Sequence, residues 1–368
     1  MNLAPQDALR INVLLANQPQ AIRIHESSMT LYGLSEKGEA KIELNPDCRD
    51  EHYLKKVKEM LSGHVLGSPG GYPVYLQRWS RMGQMRDDNL EQLLLLGEPE
   101  AVVALSCAAG ITDELARRAW WALEDADNAR RMLISDAVKR GSMGPVLAAY
   151  LVDYLPFESD PEQMMITVSL VLQPGLIDDG EKAELWKKSQ RKNPYLVGFL
   201  SACADSIPDQ QQPSADYLRL QNELADEQRN SVAQLLLRVM SPAGQAFVAT
   251  ASKVLGKPAT QEMVTTTLDV LADYFSAMRP QGRVDATIEE LQRDASECLG
   301  QASPELQAVM RKCGQSAALL RAMRLLSGAG YGLLRPCLGD STAIGSLMRR
   351  KLEPVLTPLL EELDKLQS

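Results

Sequence analysis

The chain has 368 residues, of which 45% are hydrophobic and 24% charged, with a formal net charge of −9. That is one large domain or two to three ordinary ones, with enough apolar material for a core, and its acidity argues against unspecific binding to a phosphate backbone. Aromatic residues make up only 5% while Met reaches 15 residues, a bias that favours helix over sheet.

Residues 6–17 have apolar positions at helical spacing, and Ala8, Leu9, Val13 and Leu14 are predicted to share one face. The stretch 21–46, AIRIHESSMTLYGLSEKGEAKIELNP, changes to a period of two. Ile22 and Ile24 alternate with Arg23 and His25, Met29 and Leu31 with Thr30, and Ile42 and Leu44 with Lys41 and Glu43. Reversals at Ser27-Ser28 and Ser35–Gly38 complete a three-stranded antiparallel meander with one wet face. Asp50 is placed to cap a helix over 51–62, whose stripe of Tyr53, Leu54, Val57, Met60 and Leu61 can cover the sheet, with Gly63 at its end.

Beyond Asp87 the pattern is helical. Helices are predicted at 89–96, 99–108, 112–123, 125–139, 144–154, 161–172, 179–190 and 194–203. Thr112, Asp125, Asp160 and Asn193 stand at N-cap positions, and Pro99, Pro161 and Pro194 in first turns. A large aromatic recurs at Trp120, Tyr150 and Trp186, a weak echo at helix-pair spacing. The polar segment 205–216, DSIPDQQQPSAD, reads as a linker. A second helical block follows at 214–239, 242–255, 260–278, 285–299, 303–326 and 341–366, with Pro354 and Pro358 expected to kink or interrupt the last helix. The expected architecture is mostly α. A small N-terminal α+β unit (1–88) precedes a degenerate, HEAT-like α-solenoid of helix pairs (89–204), a linker (205–214) and a C-terminal helical domain (215–368).

Residues 63–86, GHVLGSPGGYPVYLQRWSRMGQMR, stand apart. They lack the lysine and spacing of a phosphate-binding loop. Ser68 lies between Gly67 and Pro69, so the Gly-x-Ser-x-Gly turn of a hydrolase is also missing. The stretch reads as a joint. Its second reading is a binding face made of Tyr72, Tyr75, Arg78, Trp79, Arg81 and Arg86, residue types that suit protein partners better than catalysis. Cys48, His52 and His64 fall close together but do not make the four ligands of a structural zinc site. The glycine run 328–332 should end a helix rather than open one, which argues against a dinucleotide site. Basic clusters at Arg117-Arg118, Arg130-Arg131, Lys187–Lys192 and Arg349–Lys351 have acidic neighbours and read as solvated helix faces; aligned on one ridge, the first three could seat an acidic peptide. The six cysteines are scattered without a CxxC pair, as reduced and mostly buried thiols would be, with Cys107 and Cys203 expected on apolar helix faces. The first twenty residues lack the basic and apolar regions of a signal peptide, and no apolar run approaches a membrane span. The expectation is a cytoplasmic protein without membrane insertion, metal, cofactor or catalytic residues.

Five phrases carry a resemblance: RINVLLANQPQAIRI (10–24), the stretch 63–86 above, LEQLLLLGEPEAVVAL (90–105), DELARRAWWAL (113–123) and SMGPVLAAYLVDYLPFE (142–158). Together they resemble the sulfur reduction protein DsrS family, associated with the dissimilatory sulfite reductase system of sulfur-oxidising bacteria. The resemblance covers nearly the whole chain and is densest over 10–200. It implies a soluble cytoplasmic accessory protein, a scaffold or regulator that contacts other proteins of the sulfur-oxidation machinery, and it transfers no functional residue. Two alternatives remain: an enzyme or sulfur-handling thiol protein that uses Cys48, and an RNA-linked regulator.

Overall fold

The computed structural model describes residues 3–73, 87–209, 211–279, 286–300, 302–338 and 345–367. The chain is mostly α: a small N-terminal α+β part, a degenerate α-solenoid of helix pairs, and a C-terminal helical part. It divides into two compact units, Met1–Tyr154 and Leu155–Ser368.

In the first unit, α1 (Pro5–Ala16) leads into β1 (Ala21–His25), β2 (Thr30–Ser35) and β3 (Gly38–Glu43), and α2 (Asp50–Leu66) follows. The strands form one antiparallel sheet in the order β1-β2-β3, with Arg23 opposite Tyr32 and Tyr32 opposite Lys41. Because side chains alternate along a strand, Ile22, Leu31 and Ile42 share the other face. There they meet Ile11, Leu14 and Leu15 of α1 and Tyr53, Leu54, Val57 and Leu61 of α2 in one buried cluster. The inward face of α1 is therefore Asp7, Ile11, Leu14 and Leu15, and the expected Leu9 and Val13 are 66% and 54% exposed. Both patterns have helical spacing and share Leu14, which packs against Gly33, where a Cβ would stand 2.6 Å from Leu14 Cδ1.

Helix α2 runs through Gly63 and ends at Gly67, which takes the left-handed conformation at φ 68° that a helix stop favours. Residues Asp87–Leu95 form a 3₁₀ helix instead of the expected α-helix. Leu90, Leu93 and Leu94 of this helix are buried, as is Leu96 after it. Helices Pro99–Ser106, Asp113–Ala122, Ala126–Met132, Asp136–Lys139 and Met143–Tyr154 complete the unit; the single helix expected at 125–139 is two. The aromatic echo has a physical basis here, since Trp120 and Tyr150 meet edge to face at 4.7 Å. The Asp113 carboxylate accepts the backbone N–H groups of Ser142 and Met143 and the Ser142 hydroxyl, which fastens one helix to the start of another and holds its carboxyl below the ordinary range.

In the second unit, the Pro161–Val171 and Asn193–Ala202 helices pack at Gly198, where a Cβ would lie 2.6 Å from Val168 Cβ. The third aromatic of the echo, Trp186, packs on Phe199. One core runs from Met165 to Leu366. The expected linker is part of this packing. Ile207 and Ser214 are buried, Asp205 pairs with Arg238, and the Ser214 N–H bonds Met240 O. The contact boundary falls after Tyr154 rather than at 205–214 because buried side chains on both sides of that segment share one core. The helices expected at 214–239 and 303–326 are each broken in two, over 224–230, where Asn230 caps the second piece, and at Cys313–Ser316. The glycine run 328–332 ends Ala317–Ser327 at Gly328 as expected, but contrary to expectation it also opens a helix, Tyr331–Leu338, which includes Gly332. Gly345–Leu366 runs uninterrupted through Pro354 and Pro358. Among the described residues no single helix is long and apolar enough to cross a membrane. One bent pair, Ser231–Met240 with Pro242–Gly256, passes on length and composition, and its Leu236, Val239, Phe247 and Val248 lie in the second unit's core.

Candidate functional site: an arginine–aromatic face on the first unit

Of the six residues proposed from sequence as a binding face, Tyr75, Arg78, Trp79, Arg81 and Arg86 lie outside the described residues. Tyr72 is half-buried. The joint before it is fastened. Gly71 and Tyr72 donate their backbone N–H groups to Ser62 Oγ and Glu98 Oε2, both at 2.7 Å, and Ser62 Oγ donates to Ser68 O. Gly71 is required twice over: its φ is 60°, and a Cβ would overlap the Glu98 carboxylate.

Glu98 lines two clefts. One, of about 470 Å³, has Glu26, Glu51, Lys55, Lys58 and Glu59 on its walls, and Lys58 pairs there with Glu26 at 2.8 Å. The other, of about 420 Å³, is bounded by Arg23, His25, Pro99, Trp121 and Glu124.

The arginine–aromatic combination that sequence placed at 72–86 recurs in this second cleft from residues distant in sequence. Period-two alternation turns Arg23 away from the sheet's buried face, and cross-strand pairing sets Tyr32 beside it. The Asp113–Ala122 helix brings Trp121 over the same face. The Arg23 guanidinium then lies 5.0 Å from the Tyr32 ring centroid and 4.5 Å from that of Trp121. It donates to Trp121 O at 2.9 Å and to Glu39 Oε2 at 3.0 Å, and Trp121 Nε1 donates to the same Glu39 oxygen at 2.9 Å. Among the described residues Arg23 Nε is buried without a hydrogen-bond partner. His25 extends the aromatic row, 5.0 Å from Tyr32. Each cation–π contact of this partly exposed kind is worth about 0.5–1 kcal/mol. The wet face of the sheet is thus partly roofed, a feature that period-two alternation does not encode.

Arg117 and Arg118 are both taken up by Glu114, whose carboxyl is held down at about 2, the Arg117 hydrogen bond being the largest cause. Arg130 pairs with Asp127. Among the described residues no three His, Cys, Asp or Glu side chains converge as metal ligands. Cys203, Cys298 and Cys313 are buried, Cys48 and Cys337 intermediate. Cys107 is exposed, contrary to expectation, because it follows the last turn of Pro99–Ser106 instead of sharing its buried face. Burial pushes the Cys313 thiol up to about 12, aided by its hydrogen bond with Glu223, and raises that of Cys298. Lys56 Nζ stands 3.8 Å from Cys48 Sγ.

These groups give the first unit a surface suited to recognition. A half-buried tryptophan, a tyrosine and an arginine fixed by a shared carboxylate present rigid, amphipathic area next to two open clefts. Such residues carry most of the binding energy where proteins meet. No family model, no curated protein and no solved structure matches this chain.

Proposed function

We propose that this protein is a non-catalytic cytoplasmic accessory factor of bacterial dissimilatory sulfur metabolism, a scaffold or regulator that acts by contact with other proteins of the sulfur-oxidation machinery. The pathway rests on the resemblance of its long motifs to the DsrS family. The mode of action is supported by one observation above all: Arg23 in contact with the rings of Tyr32 and Trp121, beside a cleft that Arg23 and Trp121 line, with Glu39 bonded to both the arginine and the tryptophan. The test is capture from cells oxidising stored sulfur, with the wild-type chain and Trp121→Ala as parallel baits. Wild type should enrich sulfite reductase or its associated proteins, and the variant should lose at least about tenfold of that enrichment, as truncation of a central tryptophan does. Equal recovery by both baits would remove this face from the account.

A second reading, a sulfur-handling thiol at Cys48, is favoured by the Lys56 ammonium beside that sulfur. Alkylation under native conditions separates the two. The accessory reading expects exposure to order the rates, with Cys107 first and the buried Cys203, Cys298 and Cys313 protected. A Cys48 that reacts far ahead of Cys107 would favour the thiol reading.

A further inference from the structure

Two of the basic clusters distinguished in the sequence meet in the second unit, joined by cations the sequence did not connect with them. Lys187, Lys188 and Arg191 are exposed and Lys192 half-buried, at the end of helix Asp179–Ser189 and in the turn after it. Lys253 Nζ donates to Gln190 Oε1 in that turn at 2.7 Å. Asn193 Nδ2 donates to Lys257 O at 3.0 Å. The Arg349 guanidinium donates to Pro258 O at 3.2 Å. Three distant segments are therefore tied together by hydrogen bonds, and each brings cations. Among the described residues only Lys187 of this set has an ion pair, with Glu184.

Part of the set has a local explanation. Lys187, Lys188 and Lys253 sit in last helical turns, where the helix dipole favours a cation. Lys257 is the C-cap residue of Pro242–Gly256 and Arg191 directly follows the C-cap of Asp179–Ser189, so the same dipole suits them. Lys192 and Arg349 have no such explanation: Lys192 immediately precedes helix Asn193–Ala202, and Arg349 lies near the start of Gly345–Leu366, where the dipole disfavours positive charge. Glu184 answers Lys187 and Lys188, and Lys192 lies over the Tyr195 ring at 5.4 Å; Arg191, Lys253, Lys257 and Arg349 have no carboxylate partner among the described residues.

We infer that this surface, formed by 187–192, Lys253, Lys257 and Arg349, docks an acidic segment of a partner protein. An extended peptide advances about 3.3 Å per residue, so carboxylates a few residues apart can meet cations on all three segments. A nucleic acid would run its phosphates past this patch onto a chain whose 48 acidic residues outnumber 39 basic ones. The surface belongs to the second unit and does not depend on the Trp121 face.

The test is fluorescence anisotropy of the full-length chain with labelled hexaglutamate and, separately, labelled hexathymidylate, at about 50 mM salt where screening is modest. Saturable hexaglutamate binding is expected. Lys253→Glu/Lys257→Glu and Arg191→Glu/Lys192→Glu should each weaken it at least about tenfold with unchanged circular dichroism, the second pair serving if the first fails to fold. Arg140→Glu, an exposed cation of the first unit paired with Asp136, should leave binding unchanged. Absence of saturable binding, indifference to both reversals, or tighter binding of hexathymidylate would each overturn the inference.

Discussion

Asp7→Ala is expected to destabilise the first unit by about 3 kcal/mol, the scale for removing a buried, charged hydrogen-bond acceptor. The Asp7 side chain is fully buried. It accepts the Tyr53 hydroxyl at 2.5 Å and the Asn45 N–H at 2.7 Å, with Arg10 at 3.9 Å, and so joins α1, the end of the sheet and α2. Alanine leaves a buried hydroxyl and a backbone donor unsatisfied. The effect depends on pH. Burial raises the Asp7 carboxyl, but the hydrogen bonds from Tyr53 and Asn45 and the charge of Arg10 outweigh it, and the net shift is downward. A carboxyl lowered on folding stabilises the native state above its unfolded pKa, about 4, and loses that contribution as pH falls through the folded value. Other carboxylates, Asp113 and Glu114 among them, titrate in the same direction. The informative quantity is therefore the difference in urea midpoint between wild type and Asp7→Asn. It should be large at pH 7 and shrink below about pH 4. A difference that is flat across that range would remove Asp7 from the account of the fold.

Gly244→Ala should cost the second unit at least about 3 kcal/mol, at the upper end for forced overpacking. The helices Ser231–Met240 and Pro242–Gly256 meet at a 74° bend. Gly244 sits in the elbow, and a Cβ there would overlap the Arg238 and Val239 carbonyl oxygens and stand 2.6 Å from Val239 Cα. These are backbone atoms, so no flexible side chain can yield. Gly256→Ala is the matched control. It is in the same helix, nothing lies within 4 Å of its Cβ position, and its stability should change by less than about 0.5 kcal/mol. Urea unfolding of the two variants measures the contrast, and equal midpoints would contradict it.

Both predictions concern contacts that local pattern does not carry, which indicates what the sequence could and could not disclose. The sheet was legible because Ile22, Leu31 and Ile42 alternate with polar neighbours, and many helix starts were legible because caps act locally, as Thr112, Asp125 and Asp160 do. The break before Ser231 did leave a signal, the wholly polar run 226–231 that holds the cap Asn230, whereas the break at Cys313–Ser316 escaped notice because apolar spacing continues across it. The 205–216 segment misled for the opposite reason. Its composition is that of a linker, while single residues such as Ile207 and Ser214 anchor it. The candidate face was the least legible part. Arg23 and Trp121 are 98 positions apart along the hydrogen bond that joins them, and no short motif records such a meeting. The only signal was indirect: an arginine on the expected wet face of a short sheet, and the paired tryptophans Trp120 and Trp121 in a chain with four in all.

The central claim is that this protein works by holding another protein of the sulfur-oxidation machinery through its arginine–aromatic face. Titration of the purified chain with purified dissimilatory sulfite reductase, followed by calorimetry, tests it most directly. The account predicts saturable binding that Trp121→Ala weakens at least about tenfold, the loss typical of a central aromatic anchor. Saturable binding that Trp121→Ala leaves intact, or no binding by the wild-type chain, would contradict it.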